Sequence, residues 1–125
     1  MAAYIHDDIL DAALSYISTN CENMYICSNE PTTFAEASTT YKLGTKASPS
    51  FGSITGGDVS GRKLPVNAVS DGVVNSAGNA NYVALTDDSA TKLLAVQALS
   101  AQKAIETGSP WTLTAWDLEL PDPTT

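Results

Sequence analysis

Apolar residues at Ile9, Leu10, Ala13, Leu14 and Ile17 recur at three- and four-residue spacing, which predicts a helix over residues 8–19. Asp7 or Asp8 stands where a side chain can cap its free N–H groups and favour the positive end of its dipole. Asp11, Ser15 and Ser18 fall on the other side, so the helix is expected to cover a sheet or a neighbour with one stripe. The pattern then changes period. Met24 to Ser28 is short and β-prone and is closed by Asn29-Glu30-Pro31, which predicts a first strand. Thr33 and Glu36 have the spacing of a capping box, in which each side chain bonds the other's backbone N–H, so one helical turn over 33–37 is expected.

Residues 48–61 contain Pro49, Gly52, Gly56, Gly57 and Gly61 among serines, too much punctuation for regular structure. A long exposed Gly/Ser-rich loop is expected there, and loops of this length in small domains are usually functional. The segment lacks the spacing and the terminal Gly-Lys-Ser/Thr of a phosphate-binding loop. An ordering contact with a neighbouring subunit fits it better.

From Arg62 onward, short apolar runs are broken at regular intervals. Strands are predicted over 62–69, 73–77, 82–86, 92–98, 103–106 and 111–120, with turns at Ser70-Asp71-Gly72, Gly78-Asn79, Asp87-Asp88-Ser89 and Thr107-Gly108-Ser109-Pro110. In the last run the odd positions pass from apolar Trp111, Leu113 and Ala115 to acidic Asp117 and Glu119. The even positions pass from Thr112 and Thr114 to Trp116, Leu118 and Leu120. The apolar face therefore switches near Ala115, through a bulge, a sandwich corner or a strand that crosses between two environments. Pro121 and Pro123 end the ladder. These elements predict one mainly β domain over residues 1–125, an antiparallel sandwich or barrel with one N-terminal helix and one long loop.

A chain of 125 residues is long enough to bury a core of its own. Its 14 acidic residues outnumber 6 basic ones for a net charge of -8, and the basic ones, Lys42, Lys46, Arg62, Lys63, Lys92 and Lys103, are scattered. Nucleic-acid binding needs clustered cations, so it is not expected. The acidity reads first as a solubilising surface. A sharper reading lets Asp7, Asp8 and Asp11, with Asp117, Glu119 and Asp122, meet basic patches on a partner. No run approaches the length of a membrane span, and the N-terminus lacks the cationic start and apolar run of a secretory signal, so membrane association is not expected and assembly in a cytosol is.

Candidate chemistry is sparse. The only histidine, His6, precedes the helix, a position that favours solvent or a subunit contact over general-base catalysis. Neither Asp7-Asp8 nor Asp87-Asp88 makes a glycosidase-like pair, because adjacent residues point different ways. Asp87-Asp88-Ser89 offers oxygen ligands for calcium without the spacing of an EF-hand, and a plain turn is the simpler reading. Trp111, Trp116, Tyr82 and Tyr25 have the chemistry of a sugar-stacking platform, but at this spacing they read first as core or interface. Cys21 and Cys27 lack the company of a zinc site. They read as reduced structural thiols, with a bridge across the helix-to-strand junction or a bridge between subunits as alternatives. No catalytic residue, cofactor or metal is expected.

Four stretches, Asp8 to Leu14, Ile26 to Ala37, Asp58 to Leu64 and Leu113 to Pro121, together resemble a group of small virion structural proteins of tailed bacteriophages, over nearly the whole chain. The shared motifs form the fold and carry no active-site residue. The resemblance implies a non-enzymatic protein of the phage particle, assembled in the bacterial host cytoplasm, whose partners are capsid or other virion proteins and further copies of itself. Decoration or cementing of the capsid surface is the first expectation. A neck or tail component forming rings around the tail axis is the alternative, and a carbohydrate- or receptor-binding module a second one. The expected subunit contacts are Tyr4, Ile5 and His6 of the N-terminal segment and Phe51 and Ile54 of the 48–61 loop.

Overall fold

A computed structural model describes residues 4–58 and 60–123; Met1 to Ala3, Val59 and the Thr124-Thr125 tail lie outside the described residues. The chain is mainly β, with one helix at its start. Helix α1 spans Asp7–Asn20 and is followed by β1 (Asn23–Cys27), a π-helical turn (Glu36–Thr40) and β2 (Lys42–Ala47). Then come β3 (Thr55–Gly56), β4 (Arg62–Val66), β5 (Val69–Val74), β6 (Gly78–Asp87), β7 (Lys92–Ile105), β8 (Trp111–Leu113) and β9 (Trp116–Leu120). Six strands form a curled sheet in the order β7-β6-β1-β2-β5-β8, a half-barrel, and three form a small sheet in the order β3-β4-β9. All pairings are antiparallel. Among the described residues no helix is long and apolar enough to cross a membrane.

Two expected strands prove to be one bent ribbon. The runs 62–69 and 111–120 each break in the middle, and the halves join different sheets. Val66 pairs with Trp116 in the small sheet and Val69 with Leu113 in the large one. Two residues on each strand separate these pairs, so the register carries through the corner. The apolar face switches at Thr114-Ala115 because the strand changes sheets there, one of the origins expected from its pattern.

The inner face of the large sheet holds the main core, where Met24, Ile26, Val83 and Leu85 meet Val66 and Trp111. A smaller cluster of Tyr25, Cys27, Ala37 and Ala84 lies on its outer face, under the 28–41 segment. In that segment Thr33 Oγ1 accepts from the Glu36 N–H at 3.1 Å, as a capping box requires. The Glu36 carboxylate reaches back to the N–H and hydroxyl of Thr32 instead of the N–H of Thr33, and the turn continues as a π-helix to Thr40, beyond its expected end.

Several expected turns are corrected. Ser70-Asp71-Gly72 lies inside β5, and Gly78-Asn79 opens β6. Runs 92–98 and 103–106 are parts of the single strand β7, interrupted by a large bulge: Ala80 pairs with Lys103 and Tyr82 with Ala98, so Leu99 to Gln102 face only Asn81. The 48–61 loop stays on the surface but is tied to β4. Phe51 bridges to Val66, the Gly52 N–H donates to the Pro65 carbonyl at 2.8 Å, and Thr55-Gly56 form β3.

Helix α1 is also narrower in its burial than its pattern suggests. Leu10 and Leu14 are buried against β4 and β6, while Ile9 is 62% exposed and Ala13 is exposed. An ion pair between Arg62 of β4 and Asp11, 2.8 Å apart, draws the polar flank of the helix toward the small sheet. The other flank, with Ile9 and Ala13, is thereby turned to solvent. The cap is His6, not Asp7 or Asp8: its Nδ1 accepts the Asp8 N–H at 3.0 Å, and the two aspartates sit in the first turn.

Candidate functional site

The residue types that do chemistry are dispersed over the fold. His6 is exposed at the start of α1 and serves as a helix cap, with Asp8 Oδ2 3.7 Å from its Nδ1. Asp87 Oδ1 accepts from the Ala90 N–H, and both oxygens of Asp88 accept at 2.6 Å, from the Tyr25 and Thr86 hydroxyls. Ser89 donates through its N–H and its hydroxyl to Glu22. The oxygens expected as calcium ligands are therefore engaged in closing the β6–β7 turn. Among the described residues no group of three or more His, Cys, Asp or Glu side chains is placed to hold a metal.

The four aromatic residues do not make a platform. Trp111 is buried in the inner core, Tyr25 in the cluster on the opposite face, and Tyr82 and Trp116 are half-buried on separate elements. The acidic ends are partly consumed within the chain. Asp11 binds Arg62, Asp117 shares Lys63 with Asp58, and Glu119 accepts from the Asp58 N–H.

Cys21 and Cys27 are both free, each donating weakly to a backbone carbonyl, Asn23 for Cys21 and Ala37 for Cys27. Burial pushes both thiols up to about 11; for Cys21 it outweighs backbone hydrogen bonds that act the other way. Because the thiolate is the reactive form, both should react with a disulfide reagent at pH 8 about tenfold or more slowly in the native protein than in denaturant. Equal rates in the two states would show that burial does not protect them.

What the surface does concentrate is unshielded apolar area at one end of the chain. Among the described residues, the large apolar side chains that stay exposed are Tyr4 (78%), Ile5, Ile9 and Tyr16, on the N-terminal arm and α1, and Val73 on β5. Ile9, Ala13 and Tyr16 follow at four- and three-residue spacing and share one flank of the helix. Tyr16 leads along that flank to the start of β7, where the Lys92 ammonium sits 5.5 Å from its ring centroid and 3.0 Å from its hydroxyl. Tyr4, Ile5 and His6 are therefore exposed where subunit contacts are expected. Phe51 and Ile54 are only half exposed, and Phe51 packs against the chain's own core.

Sequence reasoning missed the contribution of Ile9 and Tyr16. The signal was present: apolar residues at 9, 10, 13, 14, 16 and 17 span an arc wider than one sheet contact covers.

The second surface feature is a cleft of about 400 Å³ between the β7 bulge and the β8–β9 corner. Val83, Leu99, Leu113 and Trp116 supply apolar walls, and Lys103 and Asp117 stand among its polar ones. β7 forms one edge of the large sheet and β9 one edge of the small sheet. The Trp116 Nε1–H is buried with no hydrogen-bond partner among the described residues, a cost of about 1–3 kcal/mol for such a group.

This arrangement offers apolar contact area and an unfinished cleft. Comparison with family models, with curated proteins and with solved structures finds no match to the chain.

Proposed function

We propose that this chain is a non-enzymatic structural protein of a tailed-phage virion, which decorates or cements the capsid surface through protein–protein contacts. The observation that carries the reading is the concentration of exposed apolar side chains on the arm and one flank of α1. Burying such area gives about 25 cal/mol per Å². Contiguous apolar patches on otherwise polar surfaces mark sites of association. The resemblance of four stretches to small virion structural proteins supplies the identity of the partner class. Many copies on a symmetric shell convert a modest single contact into large collective stabilisation. A glycan-binding reading finds no support in the aromatic residues, which are divided between the two faces of the large sheet.

Cryo-electron microscopy of particles carrying the chain tests the proposal. Density should repeat at symmetry-related positions on the outer capsid. An Ile9→Asp variant should lower its occupancy about tenfold or more, as loss of an interface anchor does, with an unchanged melting temperature. Density confined to the tail axis would replace decoration by the neck or tail reading. Particles lacking the protein would overturn both.

A further inference from the structure

We propose that the cleft between the β7 bulge and the β8–β9 corner receives the N-terminal arm of a second copy of this chain, with Tyr4 as the inserted side chain, so that copies join head to tail. The inference rests on the reading that the protein works by adhesion, and adds which surface of one copy meets which surface of the next.

Three observations support this occupant. The arm presents Tyr4 at 78% exposure, with Ile5 also exposed, and the Tyr4 ring stands edge-on to His6, the centroids 6.4 Å apart. A large aromatic side chain left in water is the group with most to gain from a partly apolar pocket, and its hydroxyl requires a polar partner once inside. The cleft supplies both, with Leu99 and Leu113 on its apolar side and Gln97 and Lys103 on its polar one, in a volume of about 400 Å³.

Charge points the same way. Two copies of a chain with net charge -8 repel each other, yet residues 1–6 carry no acidic side chain. The cleft lining carries one cation, Lys103, and one acid, Asp117, whose charge is already met by Lys63. The arm and the cleft are therefore surfaces on which two such molecules meet without stacking like charges. The third observation is that Trp116, which contributes to the cleft wall, holds a buried Nε1–H with no acceptor among the described residues. That N–H is closed to solvent in the isolated chain, so an oxygen of the entering arm, a backbone carbonyl or the Tyr4 hydroxyl, becomes its acceptor only when the indole turns toward the cleft.

A knob and a hole at different places on one chain make a heterologous contact, which closes into rings when the rotation between copies permits and extends otherwise. The complementary single variants give a direct test by analytical ultracentrifugation of the full-length protein. Wild type should associate beyond a dimer as concentration rises. Tyr4→Ala lacks the knob, and Ala101→Trp, an exposed position on the bulge, fills the hole; each should sediment as a monomer. Mixed, they should form a 1:1 dimer and nothing larger, because Tyr4→Ala keeps its cleft and Ala101→Trp keeps its arm. Should Ala101→Trp fail to fold, a peptide of residues 1–8 titrated into the Tyr4→Ala protein should move the Trp116 indole N–H resonance saturably, and the same peptide with Tyr4→Ala should not. A wild type that remains monomeric, a mixture that stays monomeric, or a Trp116 resonance indifferent to the peptide would each overturn the proposal. None of these outcomes bears on whether the protein sits on a capsid, which particle imaging decides.

Discussion

Replacing Gly72 with alanine should destabilise the fold by about 3 kcal/mol, although alanine in place of a glycine within a strand normally gains about 0.5–1 kcal/mol. Gly72 lies in β5 and pairs with Trp111 of β8. The Trp111 indole folds back across β5, where its Nε1–H donates to the Val73 carbonyl at 3.1 Å, and the ring reaches Gly44 on β2. A Cβ on Gly72 would overlap Cε2, Cδ2 and Nε1 of the indole, and one on Gly44 would stand 2.6 Å from Nε1. The two glycines form a trough one side chain deep. Trp111 fills it and is 1% exposed, so a methyl group at either position must displace the ring.

The loss of a buried tryptophan costs about 3–5 kcal/mol, which sets the upper bound for its expulsion. A domain of this size loses roughly 4 °C of melting temperature per kcal/mol, so a drop of about 10 °C or more is expected for Gly72→Ala. The double-mutant cycle identifies the cause. In a Trp111→Ala background the trough is empty, and Gly72→Ala should then cost under about 1 kcal/mol. A penalty of the same size with and without Trp111 would show that the strand backbone, and not the indole, makes Gly72 necessary.

The second large effect centres on Asp88. Its carboxylate accepts hydrogen bonds from the hydroxyls of Tyr25 and of fully buried Thr86, both at 2.6 Å, and so joins β1 to the end of β6. Hydrogen bonds to a charged group contribute about 1.5–3 kcal/mol, and Asp88→Ala removes the acceptor of the Tyr25 hydroxyl and leaves that of Thr86 the longer contact to the Asn23 carbonyl at 3.4 Å. A loss of about 2–3 kcal/mol at neutral pH is expected. Burial works to raise the Asp88 carboxyl, but the hydrogen bonds from Thr86, Tyr25 and Asn23 and the Lys42 charge outweigh it and hold the group below its ordinary value of 3.8.

A carboxyl depressed in the folded state contributes stability above its unfolded value, near pH 4, and loses that contribution as pH falls through the folded value. Thermal melts of the wild type should therefore fall more steeply below pH 4 than those of Asp88→Asn, which has no charge to lose. Parallel curves for the two proteins would remove Asp88 from the account of acid sensitivity. The Tyr25 hydroxyl should stay protonated to unusually high pH, because burial and the Asp88 carboxylate both oppose its ionisation.

The proposed assembly and the stability of the fold draw on different parts of the molecule. Trp111, Gly72 and Asp88 hold the half-barrel, while the arm and the outer flank of α1 lie outside that framework. Surface variants at Ile9 or Tyr4 should therefore alter association with little change in melting temperature.

The sequence by itself determined the period of each element, because period depends on neighbours along the chain. The 3.6-residue recurrence of Leu10, Leu14 and Ile17 set the helix, the β-prone run Met24 to Cys27 set β1, and the reversal of apolar face at Ala115 announced the corner. Only the tertiary structure decided what depends on residues distant in the chain. Ser70-Asp71-Gly72 reads locally as a turn, yet Gly72 is a strand residue kept bare by an indole 39 positions away. Ile9 and Ala13 fit the buried stripe until Arg62 draws the other flank of α1 toward β4. The cleft arises where the β7 bulge meets the β8–β9 corner, two local irregularities whose meeting depends on how the sheet curls. Local pattern specifies which way side chains alternate, whereas close approach between strands specifies which of them are tolerated, covered or left free to bind.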